Sequence, residues 1–199
     1  MTAISLPGPR NGLWAKRVLD IVVVFVVMVP ILPLMGLIAL AIKWNSPGPV
    51  LYRQRRLGLG ERPFTVLKFR SMQVDADRCG PKSTATDDPR VTRVGKFLRG
   101  TSLDELPQLL NVLRGEMSLI GPRPYVGFEL EDWSQSDRVT RASVRPGISG
   151  LAQVNGRSEL QPSQVRQLDL SYVRQWNFAV DVRIICRTTL SILMRKGVN

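Results

Sequence analysis

Residues 102–124 read SLDELPQLLNVLRGEMSLIGPRP, and the way this stretch folds fixes what the chain can do. Leu103, Leu106, Leu109, Leu110 and Leu113 recur at helical spacing, which predicts an amphipathic helix from near Ser102 to near Gly115. Two adjacent carboxylates, Asp104 and Glu105, fall at its start, where free backbone N–H groups and the positive end of the helix dipole favour an anion. The same place attracts phosphate. One short segment later comes a Pro-Arg-Pro corner, Pro122-Arg123-Pro124, in which the arginine is rigidly held. A carboxylate nucleophile, an anion site and a fixed arginine are components that phosphoryl transfer can use. A structural reading stands beside this one. Ser102-x-x-Glu105 has the form of a capping box, with Asp104 as a first-turn residue worth about 0.3–1 kcal/mol to the helix.

Composition narrows the chemistry. The 199 residues suffice for one compact domain plus a smaller attached element. They carry 28 Lys and Arg against 16 Asp and Glu, a net charge of +12, which calls for an anionic partner. Nucleic acid is the weakest such partner. The basic residues are scattered, no zinc spacing or RNP-like aromatic motif occurs, and aromatics are only 7% of the chain. An acidic membrane surface or a phosphorylated substrate fits better. There is no histidine, which excludes Ser-His-Asp triads, Cys-His dyads and histidine metal sites. Cys79 and Cys186 share no spacing or context, so neither a metal site nor a disulfide framework is indicated, and a reduced cytosolic setting is expected.

From Ile21 to Ile42 the chain carries no charge, long enough to cross the roughly 30 Å hydrocarbon core of a bilayer. Membrane association follows, and two topologies are open. Pro30 and Pro33 sit mid-segment, where each removes a helical hydrogen bond. Basic residues lie on both sides: Arg10, Lys16 and Arg17 before, then Lys43, Arg53, Arg55, Arg56 and Arg62 after. The positive-inside bias therefore holds both ends on one face, which gives a helix that breaks at the prolines and re-enters the same leaflet. The alternative is a tilted, proline-kinked spanning helix.

The chain then turns through Asn45-Ser46-Pro47-Gly48-Pro49. Residues 50–54 and 64–70 are expected as short strands around the Gly58/Gly60 turn. Lys68 and Arg70 share one face of the second strand, as a solvated edge or as a phosphate clamp. Residues 75–89 are polar and turn-rich and are expected as a mobile loop, and 94–99 as a short helix. Between Arg145 and Arg157 three glycines permit tight turns and close approach of backbone to a ligand. The last segment, 181–196, reads as a basic amphipathic helix, either in a membrane interface or packed on the domain.

Four motifs in this order carry a resemblance: Lys68-Phe69-Arg70-Ser71-Met72, Ser102 to Leu109, Gly115 to Pro124, and Arg145-Pro146-Gly147-Ile148-Ser149-Gly150. The chain resembles the bacterial sugar transferases called monotopic phosphoglycosyl transferases, in their minimal form. The match runs from Lys16-Arg17-Val18-Leu19-Asp20 to the C-terminal helix. The fold implied is α+β. It comprises an N-terminal segment with a re-entrant membrane helix (1–44) and a small, mostly helical cytosolic catalytic domain (45–199) with a short β-hairpin and amphipathic interface helices.

The reaction implied is transfer of a sugar 1-phosphate from a UDP-sugar to undecaprenyl phosphate, or another polyprenyl phosphate, with release of UMP. It is implied to be ping-pong, through a covalent phosphosugar–aspartate, as the first membrane step of a bacterial glycan pathway such as exopolysaccharide synthesis. The nucleophile's role carries over to Asp104. Glu105 is the partner carboxylate, and Asp104 and Glu105 are the residues next to which Mg²⁺ would sit. Arg123 and Arg99 would contact phosphates, and Lys68, Arg70 and Arg145 are further anion contacts. Membrane lipids are implied partners at the cytoplasmic face of the bacterial inner membrane, without nucleic acid, and a homo-oligomer is left open. One departure is visible: the family's Ser-Pro pair at the helix break is Leu32-Pro33 here, so the kink would rest on Pro30 and Pro33 alone. Two readings of other classes compete: a catalytically inactive scaffold for glycan assembly, and a membrane-tethered module binding polyanions by charge.

Overall fold

An apolar helix of this length needs cover for at least one face, and the rest of the chain supplies it. The structure is a computed structural model and describes residues 12–76, 88–156 and 160–193. Helix α1, Leu13–Asn45, is about 50 Å long at 1.5 Å per residue. The break expected at its prolines does not interrupt it. The helix runs on through Pro30 and Pro33, at the cost of the N–H donors that Val26 and Val29 carbonyls would otherwise receive.

Lys16, Asp20 and Val24 are buried at a spacing of four along one half of α1, and Ile38 and Ile42 along the other. The remaining face is apolar and open, with Trp14, Val22, Phe25, Val26, Leu37, Leu40 and Trp44 all exposed. A continuous apolar surface of that size marks a membrane contact.

After the turn at Ser46, strands β1 (Leu51–Leu57) and β2 (Pro63–Phe69) pair antiparallel, with Tyr52 opposite Lys68 and Gln54 opposite Val66. The hairpin is the expected one, with a longer first strand. The free edge of β2 is closed by a side chain. The Leu67 N–H donates to Asn111 Oδ1 (3.0 Å), and Asn111 Nδ2 donates to the Thr65 carbonyl (2.7 Å).

Helix α2, Arg93–Gly100, matches the expected short helix and is capped by the Thr92 hydroxyl, which accepts from the Gly95 N–H at 2.9 Å. The leucine-spaced stretch is corrected at its start. Ser102 is left-handed (φ 57°) and its side chain caps nothing, residues Leu103–Glu105 form one 3₁₀ turn, and helix α3 runs only over Gln108–Arg114. Two residues account for this: Ser102 lies in the left-handed region, and Pro107 has no N–H to give to the Leu103 carbonyl, so the first turn closes as 3₁₀ before α3 begins. The capping box is therefore not formed. Gly115 ends α3 as expected.

The remainder is β3 (Ser118–Ile120), α4 (Gln135–Ala142), β4 (Gly147–Ser149), α5 (Leu151–Val154), α6 (Pro162–Gln175) and α7 (Phe178–Leu193). β3 and β4 form a parallel pair that the sequence reading lacked, with α4 in the crossover. This pair also corrects the glycine-rich segment. A Cβ on Gly147 would lie 2.0 Å from the Gly121 nitrogen, so that glycine admits the chain's own backbone rather than a ligand.

Both halves of α1 enter the core. Val24 packs with Val66, Leu109, Val112 and Met117, while Ile38 and Ile42 pack with Phe69 and Leu98. At its N-terminal end Lys16 Nζ donates to Asp181 Oδ2 of α7 (2.6 Å), and the Ser118 hydroxyl donates to Asp20 (2.7 Å). Tyr172 and Trp176 also donate to Asp181, at 2.8 and 3.0 Å. Helix α7 combines the two readings of its sequence. Ile184 packs inward, and Phe178, Val182, Ile185 and Leu190 are exposed. Most of the loop expected at 75–89, with Cys79, lies outside the described residues, as do Arg10, Arg157, Arg195 and Lys196.

Candidate active site

Asp104 occupies the 3₁₀ turn between α2 and α3 and is only 8% exposed. Three attachments hold that turn. On the α2 side, Gly95 crosses the end of β2 so closely that a Cβ would stand 1.9 Å from the Ser71 carbonyl oxygen. One turn later Arg99 Nε donates to the Ser71 hydroxyl at 2.8 Å. On the α3 side, Asn111 ties the helix to β2. Between them Lys68, on β2, donates to Glu105 Oε1 at 2.7 Å.

Burial pushes the Asp104 carboxyl up to about 6, and the neighbouring Glu105 charge adds to the rise. Lys68 and Arg99 oppose it. A carboxylate that is desolvated yet faced by two cations is poorly hydrated and still ionised near neutrality, as a nucleophile for an anionic electrophile requires.

The structure adds a residue that sequence reading missed. Arg56 lies opposite Phe64 in the hairpin, on the same face as Lys68. It sits within electrostatic reach of Glu105 on one side and Arg123 on the other, and burial followed by the Arg123 charge lowers its pKa. The signal was the alternation Gln54-x-Arg56, which puts both on one face of a strand. Arg56 Nε and Nη2 both donate to Gln54 Oε1, at 2.9 and 2.6 Å.

Of the proposed site residues, Asp104, Glu105, Lys68 and Arg99 come together directly, and Arg123 joins through Arg56. Arg123 is exposed between two buried prolines. Arg70 and Arg145 are not brought into this group: their hydrogen bonds are with backbone and a serine elsewhere in the fold. Arg70 leaves the strand and donates to the Ser46 carbonyl (2.8 Å), the Ser46 hydroxyl (2.9 Å) and the Pro47 carbonyl (2.6 Å), locking the turn after α1. The period of two stops at Phe69, where β2 ends, so Lys68 and Arg70 do not act on one face. Arg145 Nε donates to the Gly115 carbonyl (2.8 Å) at the far end of α3 from Asp104, beside Arg17, which donates to the Val112 and Leu113 carbonyls. Both arginines cap a helix C-terminus, where cations are favoured.

Among the described residues no three of Asp, Glu and Cys are grouped to cage a metal. Asp104 and Glu105 do offer hard carboxylate oxygens, the donor type with which Mg²⁺ is shared between protein and phosphate.

The bacterial sugar transferase profile matches residues 11–195. The chain belongs to that family. Within it, the chain is 45% identical, over 94% of its length and 73% of the other's, to the UDP-glucose:undecaprenyl-phosphate glucose-1-phosphate transferase of Caulobacter vibrioides. It is 46% identical over 87% of its length to the undecaprenyl-phosphate glucose phosphotransferase of Komagataeibacter xylinus, of which it covers 35%. A third relative, the galactosyl transferase CpsE of Streptococcus agalactiae, is 36% identical over 94% of this chain and 44% of that one. The chain thus spans about two fifths of the length of several members of the family.

Proposed function

We propose that this chain is a phosphoglycosyl transferase that moves a sugar 1-phosphate from a UDP-sugar to undecaprenyl phosphate at a membrane surface. The observation that carries it is the buried Asp104 carboxylate, flanked by the Lys68–Glu105 ion pair and by Arg99, in a member of the sugar transferase family. UDP-glucose is the first donor to test, because relatives are named for it, while a relative named galactosyl transferase keeps other sugars in the panel.

In the first step an Asp104 oxygen attacks the phosphorus that bears the sugar. The bond from that phosphorus to the bridging oxygen breaks, and UMP leaves with the electron pair. In the second step an oxygen of undecaprenyl phosphate attacks the same phosphorus, the bond to Asp104 breaks, and the carboxylate is restored. Two steps let one site serve a soluble donor and a lipid acceptor in turn.

The chain's own groups have separable tasks. Lys68 holds Glu105 by an ion pair and, with Arg99, lowers the cost of charge on Asp104. Arg123 is placed to meet the phosphates and the charge that gathers on the leaving oxygen. Mg²⁺, held by Glu105 and Asp104, would neutralise diphosphate charge.

The membrane setting rests on α1. One body packs against both of its ends, at Lys16–Asp181 and at Ile42 with Leu98, which supports a helix that stays on one side of the bilayer. The basic residues on both sides of the apolar run favour the cytoplasmic side.

The test is UMP release by the chain in lipid nanodiscs with Mg²⁺ and UDP-glucose, then a panel of UDP-sugars. Without acceptor, we expect about one equivalent of UMP per chain and a sugar-phosphate adduct on the peptide carrying Asp104. UMP release that begins only when undecaprenyl phosphate is added would refute the covalent route. No release with any UDP-sugar from folded protein would refute the function.

A further inference from the structure

Prolines fix φ on either side of Arg123, and Pro124 confines Arg123 to extended backbone, but ψ of Pro124 and the Arg123 side chain are left free, so the Pro-Arg-Pro corner is only partly fixed by its sequence. Two arginines from other elements complete it. Arg141, on α4 and 7% exposed, donates through Nη2 to the Arg123 carbonyl and through Nε to Asp169 Oδ2 (3.0 Å). Asp169, on α6, is 1% exposed. The Arg141 guanidinium also lies 4.0 Å from the Tyr125 ring centroid and 5.6 Å from that of Trp133. Arg56, from the hairpin, donates through Nη1 to the Pro124 carbonyl (2.9 Å), with Glu129 Oε2 at 3.4 Å. Consecutive carbonyls are thus gripped from two directions. The Arg123 side chain between them makes no hydrogen bond or ion pair among the described residues. Arg56 is half-buried and brought up to the like charge of Arg123, with Glu129 as a longer-range partner, while the Arg141 guanidinium is paired with Asp169.

We propose that Arg56 and Arg141, the latter backed by Asp169, are positioning residues of the transfer reaction: they clamp the Arg123 and Pro124 carbonyls and so aim the Arg123 guanidinium at the reacting phosphate without touching substrate. This rests on the reading that Arg123 meets the phosphates. A clamp of this kind acts on the chemical step, because a displacement of about 1 Å in a group that meets the transition state costs on the order of 100-fold. Arginine is required at both positions. A lysine offers its donors from one nitrogen, so it does not reproduce the planar fork that meets Asp169 and the Arg123 carbonyl, or Gln54 and the Pro124 carbonyl, through separate nitrogens, and it does not stack flat on Tyr125.

The test is a mutant cycle on the full chain in nanodiscs, with the UDP-sugar that the wild type turns over fastest, UDP-glucose being tried first. Arg141→Lys and Arg56→Lys are each made alone and together with Arg123→Ala. We expect each lysine variant to lower kcat by roughly 10- to 100-fold while KM for the sugar nucleotide moves less than about threefold. In the Arg123→Ala background the same substitution should cost less than about twofold, because what it aims is gone. Equal losses in both backgrounds, or unchanged kcat in both lysine variants, overturn the clamp. So does loss of the native circular dichroism spectrum in both, which would make the arginines structural; if only Arg141→Lys misfolds, Arg56→Lys carries the test. Full turnover in Arg123→Ala alone overturns instead the reading of the site, and that single variant tells the two failures apart.

Discussion

Removing the charge of Asp104 should make the protein inactive and more stable. In the unfolded chain this carboxyl titrates near 3.8, and in the folded state near about 6, chiefly because it is buried. The folded state therefore holds the proton more tightly than the unfolded one. Below pH 3.8 the group is neutral in both states and costs nothing. As pH rises from 3.8 to about 6 the unfolded state loses its proton first, and folding stability falls. Above about 6 the cost is constant. A difference of about two units, at 1.36 kcal/mol each, makes it about 3 kcal/mol at neutral pH. Asn is a close steric match for the neutral acid and avoids that cost.

Asp104→Asn should thus gain about 3 kcal/mol at pH 7.5, which for a chain of this length is a rise in unfolding midpoint of roughly 6–12 °C. The gain should shrink below about 1 kcal/mol at pH 4, where wild-type Asp104 is also protonated. The assay is tryptophan fluorescence during thermal unfolding in nanodiscs, in metal-free buffer so that the titration belongs to the chain. No gain at pH 7.5, or an equal gain at pH 4 and 7.5, would refute the reasoning. An inactive, more stable variant is the signature of a residue kept for chemistry at a cost in stability.

The same ionisation should appear in kcat/KM. With a carboxyl near about 6, the ionised fraction rises from about one tenth at pH 5 to about nine tenths at pH 7, so an acid limb with roughly tenfold span is expected. Glu105→Gln removes a charge that raises Asp104 and should move the limb to lower pH, while Lys68→Met removes an opposing cation and should move it higher; shifts in the reverse directions would refute the electrostatic assignment. Lys16→Met leaves Asp181 buried without its cation and should cost about 3–5 kcal/mol in denaturant unfolding, while a change below about 1 kcal/mol would show that Tyr172 and Trp176 suffice. Cysteines placed at Trp14 and Trp44, both exposed, should label with an impermeant maleimide from the same side of sealed vesicles; labelling from opposite sides would establish a spanning helix.

What the sequence made legible is what local pattern encodes. The length of α1, the hairpin, α2 and the glycine stop of α3 follow from runs, alternation and turn residues, and all are present. The grouping of the candidate site was legible in Asp104-Glu105 and in Lys68, whose side chain meets Glu105. The start of α3 was misread because leucine spacing outweighed Pro107 and because the left-handed backbone of Ser102 has no signature in that spacing. That Arg70 and Arg145 lie apart from the Asp104 group was not legible, for a different reason. An arginine's sequence neighbours do not reveal whether its donors will meet a substrate or a helix end, since that depends on segments such as Ser46 and Gly115 brought near by tertiary packing. Asn111 and the Arg141–Asp169 pair were invisible on the same account, since each acts on backbone far away in the chain, and for Arg56 the strand alternation gave its face but not its contact with the Pro124 carbonyl.

The way α1 is held also bears on how one site reaches both substrates. The helix is about 50 Å long, and contacts on its packed face recur from Lys16 to Ile42, so the body lies along the helix rather than at one end of it. Lys16 and Asp20 meet α7 and β3, Val24 meets β2 and α3, and Ile38 and Ile42 meet β2 and α2. Those are the elements that frame the 3₁₀ turn of Asp104. If the helix stays on one side of the bilayer, as proposed, the apolar outer face is the part that meets lipid. The helix is then a floor beneath β2, α2 and α3, and the distance from the lipid to Asp104 is set by packed side chains rather than by a flexible tether. A lipid phosphate confined to the headgroup layer can be met repeatedly at one fixed depth in this way. The buried Lys16–Asp181 pair and the Asp20–Ser118 bond fix the end of that floor lying farthest along the helix from α2.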